Sequence, residues 1–220
     1  MKRFSLMLLV CSTLALLSYT PAKKKKVIFF GDSITAAGVQ PEGYISQMKK
    51  KAGADNYELI GAGIGGNKVY DLYLRMEEDV LSKQPDIVVI YIGVNDVWHK
   101  TSSGTGTDYD KFEKFYRALI KKLQAHHAKV ILCTPAVIGE KKNGGNAQDA
   151  DLDKYSANIR KISEDTKLPL VDLRKLFTDY NIAHNADNRE KGILTTDGVH
   201  LNKEGNAQVA DAMWKVIKTL

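Results

Sequence analysis

Two segments far apart in the chain hold the residue types that acyl transfer to a serine requires. Ser33 lies within Gly31-Asp32-Ser33-Ile34-Thr35, and Asp197-Gly198-Val199-His200 comes close to the end. A serine hydroxyl is a weak nucleophile until a neighbouring base takes its proton. His200 can be that base. Asp197, three residues earlier, is near enough in a turn to accept the other ring N–H, fix the tautomer and stabilise the imidazolium formed during attack. The charge developing on the substrate carbonyl then needs donors aimed at it. Asn95, in Gly93-Val94-Asn95-Asp96, offers a side-chain amide, Gly66 offers a backbone N–H that no Cβ obstructs, and the Ser33 N–H would be a third donor.

Each segment alone has an ordinary reading. Asp197 to His200 also suits a polar turn in which Thr196 or Asn202 caps the last helix, and Asn95-Asp96 also suits a strand-ending turn. Their order along the chain decides between the readings. The first three follow strand-like runs and the fourth lies just before the final helix, which is where an open α/β sheet gathers its active-site loops.

The elements that must position these residues are legible in outline. Val27–Phe30, Tyr57–Ile60, Ile87–Ile92, Val130–Cys133 and Leu170–Leu173 read as strands. The third especially is apolar without alternation, as in a strand covered on both faces. Tyr44–Lys51, Val69–Ser82, Tyr109–His126 and Leu152–Thr166 have helical spacing, with a short helix near Arg174–Tyr180 and a last one from Lys203 to Thr219. Strand followed by helix, repeated five times, predicts a doubly wound, three-layer α/β/α fold around a five-stranded parallel sheet with right-handed crossovers. No internal repeat or interdomain linker interrupts it.

The four segments, with Gly66 in the glycine cluster Gly61 to Gly66, resemble the four blocks of the SGNH hydrolases, also called GDSL esterases/lipases. The resemblance covers essentially the whole chain after residue 22. It implies a flavodoxin-like α/β/α fold, with Ser33 as nucleophile, His200 as base and Asp197 as its orienter. It further implies an oxyanion hole built from Ser33 N–H, Gly66 N–H and Asn95, with no metal and no cofactor. The family often has a polar residue before its block glycine, where this chain has Gly65.

Residues 1–22 read as a secretory signal. Lys2 and Arg3 precede an apolar run from Phe4 to Leu17, and Thr20-Pro21-Ala22 is a cleavage site. The run is short of the roughly twenty residues a membrane span needs, so stable insertion is not expected after cleavage. Val10 before Cys11 argues against a lipoprotein signal. Residues 23–26 form a basic tail and 27–220 a single hydrolase domain, exported to the periplasm or beyond the cell. The formal charge of +6 comes entirely from the leader and Lys23 to Lys26, leaving 26 basic and 26 acidic residues from Val27 onward. The body therefore carries no electrostatic signature of a nucleic-acid partner. Cys133, alone in an apolar strand, reads as core filler.

Two stretches, Trp98–Thr107 and Ile138–Asp149, read as long loops bordering a substrate cleft. Trp98 and His99 are candidates to stack on a sugar face and bond a hydroxyl. Export and polar, glycine-rich loops favour a small acyl group, most simply acetyl, on a carbohydrate or similar polar alcohol. The alternatives are a lysophospholipase or thioesterase acting on lipid acyl chains, and a non-catalytic carbohydrate-binding relative. Gly61-Ala62-Gly63-Ile64-Gly65-Gly66 also fits a dinucleotide fingerprint, but it follows the second strand rather than the first, and no acid ends the next strand. Asp32 reads as a brace for the nucleophile turn and Asp172 as a cap. His126, His127 and His184 read as surface or capping residues, and no pattern bears on oligomeric state.

Overall fold

Runs of β-branched and aromatic residues assemble a five-stranded, all-parallel sheet in the order β2-β1-β3-β4-β5. The computed structural model describes residues 23–52 and 56–220, so the signal reading of 1–22 lies outside the described residues. The strands are β1 (Lys25–Gly31), β2 (Tyr57–Gly63), β3 (Ile87–Tyr91), β4 (Lys129–Cys133) and β5 (Leu170–Val171). The helices are α1 (Ser33–Gly38), α2 (Tyr44–Ala52), α3 (Val69–Asp79), α4 (Val94–Ser102), α5 (Tyr109–Ala125), α6 (Asp149–Thr166), α7 (Leu173–His184) and α8 (Lys203–Ile217).

Both faces of the sheet are covered. Val27 and Phe29 of β1 point into a core shared with α2, α7 and α8, whereas Ile28 and Phe30 point into a second core under α3, α5 and α6. All four are fully buried, as are the five residues of β3 apart from traces. Each such side chain contributes roughly 1.5–3 kcal/mol of hydrophobic stabilisation. The three-layer, doubly wound expectation is met, with the order reversing between β1 and β3. Loops at the carboxyl ends of these two strands flank the natural ligand position of such a sheet.

Several boundaries differ from the sequence reading; β1 already begins at Lys25, so Lys25 and Lys26 of the expected basic tail are strand residues paired with β2. β2 runs on through Gly63, because β1 continues beside it to Gly31 and pairs residue for residue. β5 is only two residues long, since Asp172 turns the chain and caps α7 by accepting from the Lys175 amide at 3.1 Å. The expected loop Trp98–Thr107 is helical through Ser102. Gly93 reaches φ +127°, a backbone state L side chains rarely adopt, and that lets α4 begin directly after β3. The Thr101 and Ser102 hydroxyls bond back to the Trp98 carbonyl, which closes the last turn.

Candidate active site

β1 ends and α1 begins within two residues, and this abruptness sets the position of Ser33. Asp32 is the N-cap of α1, its carboxylate accepting from the Ile34 amide at 3.0 Å. Ser33 is therefore the first helical residue, half-buried at the carboxyl edge of the sheet. Its hydroxyl lies 2.9 Å from Nε2 of His200. Nδ1 of His200 lies 2.7 Å from Oδ2 of Asp197, while Oδ1 of the same carboxylate accepts the amides of Val199 at 2.9 Å and His200 at 2.8 Å. A carboxylate can only accept, so Nδ1 carries the ring proton and Nε2 presents its lone pair to the Ser33 hydroxyl. Burial acts to raise the Asp197 carboxyl, but the His200 ring and the two amides outweigh it and hold the group below its ordinary value.

The loop carrying Asp197 and His200 is pinned from two sides. Thr196 donates its amide to the His200 carbonyl at 2.8 Å, and Gly139 donates to the Gly198 carbonyl at 2.8 Å. Glu140, fully buried, accepts the amides of Ile193 (2.8 Å), Leu194 (2.6 Å) and Thr195 (2.9 Å). The Ile138–Asp149 stretch thereby serves as a clamp on the segment leading to His200.

Asn95 is buried in the first turn of α4, where its Nδ2 donates to the Asn67 carbonyl at 3.1 Å and keeps a second N–H for another acceptor. Gly66 adopts φ +76°, which favours glycine, and a Cβ there would stand 3.8 Å from Cε1 of His99. Gly65 also faces the nucleophile, since a Cβ on it would lie 3.9 Å from that of Ser33. Ser33, Gly66, Asn95, Asp197 and His200 thus belong to loops and helix starts at one edge of the sheet. Asp96, beside Asn95, accepts the Val69 amide at 3.1 Å and holds the start of α3. Burial pushes its carboxyl up to about 6 and that of Asp32 up to about 7.

Trp98 and His99 also fall at the site. The Trp98 ring meets the His200 ring edge-on at 6.3 Å. His99 is held below its ordinary pKa by burial and by the Lys68 ammonium, so its imidazole is neutral at neutral pH. Trp98 forms one wall of a cleft of about 380 Å³, which continues past Asp197 to Lys141, Asn146, Gln148 and Glu190. Gln148 ties this wall to α4 by donating to the Val97 carbonyl at 3.0 Å. The glycine cluster is no phosphate cradle. Gly61 and Gly63 are strand residues, and a Cβ on Gly63 would collide with the Ala36 amide, so they let α1 lie directly on β2.

Sequence reasoning singled out neither Glu140 nor Arg75. Arg75, in α3, donates from Nη2 to the carbonyls of Gly31 (2.8 Å) and Ala62 (3.0 Å), from Nε to Oδ1 of Asn67 (2.7 Å), and from Nη1 to Asp79 (2.6 Å). Nothing local marks either residue. Arg75 and Asp79 look like any i, i+4 pair on a helix, and Glu140 like any loop acid. Among the described residues no group of three His, Cys, Asp or Glu side chains could hold a metal ion, and no helix is long and apolar enough to cross a membrane.

The chain is similar to several known proteins. An acetylxylan esterase of Geobacillus stearothermophilus is 33% identical over 177 residues, which cover 70% of this chain and 78% of that protein. The crystal structure of the acetyl xylan esterase AlAXEase superposes with a TM-score of 0.86 at 62% identity, covering 87% of this chain and 99% of that one. An uncharacterized lipoprotein, YqeF of Bacillus subtilis (strain 168), is 26% identical over 204 residues, covering 81% of this chain and 84% of that protein. Residues 29–208, from within β1 into α8 and including Ser33, Gly66, Asn95, Asp197 and His200, match the GDSL-like lipase/acylhydrolase family, and the chain belongs to that family.

Proposed function

We propose that this protein is an exported serine esterase that removes short acyl groups, acetyl above all, from a carbohydrate alcohol through an acyl-enzyme. The observation that carries the reading is the continuous hydrogen-bonded chain from Ser33 Oγ through His200 to Asp197, whose acid end lines a cleft that also holds Trp98, Lys141, Asn146, Gln148 and Glu190. Ser33 Oγ attacks the ester carbonyl carbon as its proton passes to Nε2 of His200, and Asp197 stabilises the imidazolium. The amides of Ser33 and Gly66 and the free N–H of Asn95 receive the oxyanion. As the intermediate collapses, the bond to the alcohol oxygen breaks and His200 gives that oxygen its proton. A water then attacks the acyl-enzyme by the same route, releasing the acid and Ser33.

Lys141, Asn146, Gln148 and Glu190 suit a polyhydroxylated leaving group better than a lipid chain, and Trp98 is placed to stack on a sugar ring. The acetylxylan esterase relatives support the same substrate class. The leader at 1–22 and the lipoprotein relative support export.

The test is hydrolysis of p-nitrophenyl esters from acetyl to palmitoyl, with acetate release from acetylated xylan measured beside it. Activity is expected to be confined to short chains, and Ser33→Ala is expected to lower kcat by roughly 10⁴- to 10⁶-fold in a folded protein. Full activity in Ser33→Ala would sink the nucleophile assignment, and a long-chain preference would move the substrate to lipids.

A further inference from the structure

We infer that Arg75 is the positioning residue of the oxyanion hole, a role that rests on the reading of Ser33, Gly66 and Asn95 given above. Its guanidinium joins three pieces of chain that share the site but come from different elements. It binds the Gly31 carbonyl at the root of the nucleophile turn, the Ala62 carbonyl near the end of β2, and the Asn67 side chain just after Gly66. The chain of contacts continues, because the Asn67 carbonyl accepts the Nδ2 hydrogen of Asn95 and so sets the plane of that amide. From Arg75 the fixed geometry thus reaches all three expected oxyanion donors: Ser33 through Gly31, Gly66 through Asn67, and Asn95 through the Asn67 carbonyl.

The arginine is itself held in place. Its side chain is 14% exposed, its Cζ lies over the Phe30 ring 4.6 Å from the centroid, and Asp79 partly balances its charge. Four hydrogen bonds to one planar fork fix the acceptors relative to each other, which three freely rotating ammonium hydrogens on a flexible stem cannot do. Lys68 assists from the other side, its buried ammonium donating to the Gly66 carbonyl at 3.2 Å. Oxyanion donors must sit within a few tenths of an ångström of the developing charge, so loosening this frame acts on the transition state and not on ground-state binding.

The experiment compares wild type, Arg75→Lys and Asn67→Ala in steady-state and burst kinetics with p-nitrophenyl acetate, beside thermal unfolding and inhibition by a small boronic acid that mimics the tetrahedral intermediate. Arg75→Lys is expected to lose about 10- to 100-fold in kcat with KM changed less than about threefold, and to lose boronate affinity in parallel. Asn67→Ala, which removes only the link toward Gly66 and Asn95, is expected to reproduce the same kcat-selective loss at smaller size, and it carries the test if Arg75→Lys does not fold. Added guanidinium ion should restore part of kcat to Arg75→Ala. Variants that keep wild-type kcat per folded molecule, or lose activity only through KM, would overturn the inference. Wild-type kcat in Ser33→Ala would instead refute the serine-esterase reading on which it rests.

Discussion

Asp32 combines two roles that pull in opposite directions. Its carboxylate caps α1 and so places Ser33, yet burial pushes its pKa from an ordinary 3.8 to about 7, with the Asp96 charge adding to the rise and the Ile34 amide opposing it. A carboxyl whose pKa is higher in the folded state binds a proton more readily when folded, so its contribution to stability is fully present below about pH 4 and is lost as pH rises toward 7. Asp32→Asn keeps the capping oxygen and removes the ionisation. The variant is expected to gain stability relative to wild type as pH rises from 5 to 8, by up to about 2.5 kcal/mol. Urea unfolding at the two pH values measures this. An unchanged difference would mean that Asp32 is solvated well enough to ionise freely.

At the scale of elements, two connections do different work. The short turns after β1 and β3 present side chains to the site directly, whereas the Ile138–Asp149 stretch lends side chains to the cleft wall and clamps the segment leading to His200 with the Gly139 amide and the Glu140 carboxylate. Glu140 is the centre of that clamp, with three amides of 193–195 on its two oxygens and its own amide bonded to the Glu190 carbonyl at 2.8 Å. In Glu140→Gln an NH₂ replaces one acceptor and faces amide donors in a buried place. Hydrogen bonds to a charged group are worth about 1.5–3 kcal/mol, so a loss of at least about 2 kcal/mol in chemical unfolding is expected, together with reduced kcat as His200 drifts from Ser33. Wild-type stability in this variant would show that the clamp is slack.

For the molecule as a whole, the sheet begins at Lys25, where β1 takes up its register opposite Tyr57 on β2. Among the described residues, every element that builds either core or the site lies from there onward. If residues 1–22 are the secretory signal that their sequence resembles, the processed protein is expected to begin at Lys23, and a chain produced from Lys23 is expected to match its kcat. Intact mass and ester hydrolysis check both. A retained leader in the exported protein would speak for an anchor.

Local patterns determined a good deal by themselves. Unbroken apolar runs required strands covered on both faces, helical spacing required helices to cover them, and the resulting parallel sheet brings the loops after its strands to one edge. That is why Ser33, Gly66, Asn95, Asp197 and His200 could be named together, and Trp98 and His99 beside them. The patterns did not extend to α4, because a helix that starts on a positive-φ glycine and buries Asn95 and Asp96 has the composition of a loop. Nor did they reveal which glycines face Ser33 and which merely let α1 lie on β2. Only the tertiary structure decided the partners of Arg75 and Glu140. A long-range hydrogen bond leaves no periodic trace in a sequence: each residue is locally an ordinary exposed charge, and becomes part of the site only when packing carries carbonyls and amides from distant elements to within 3 Å of it.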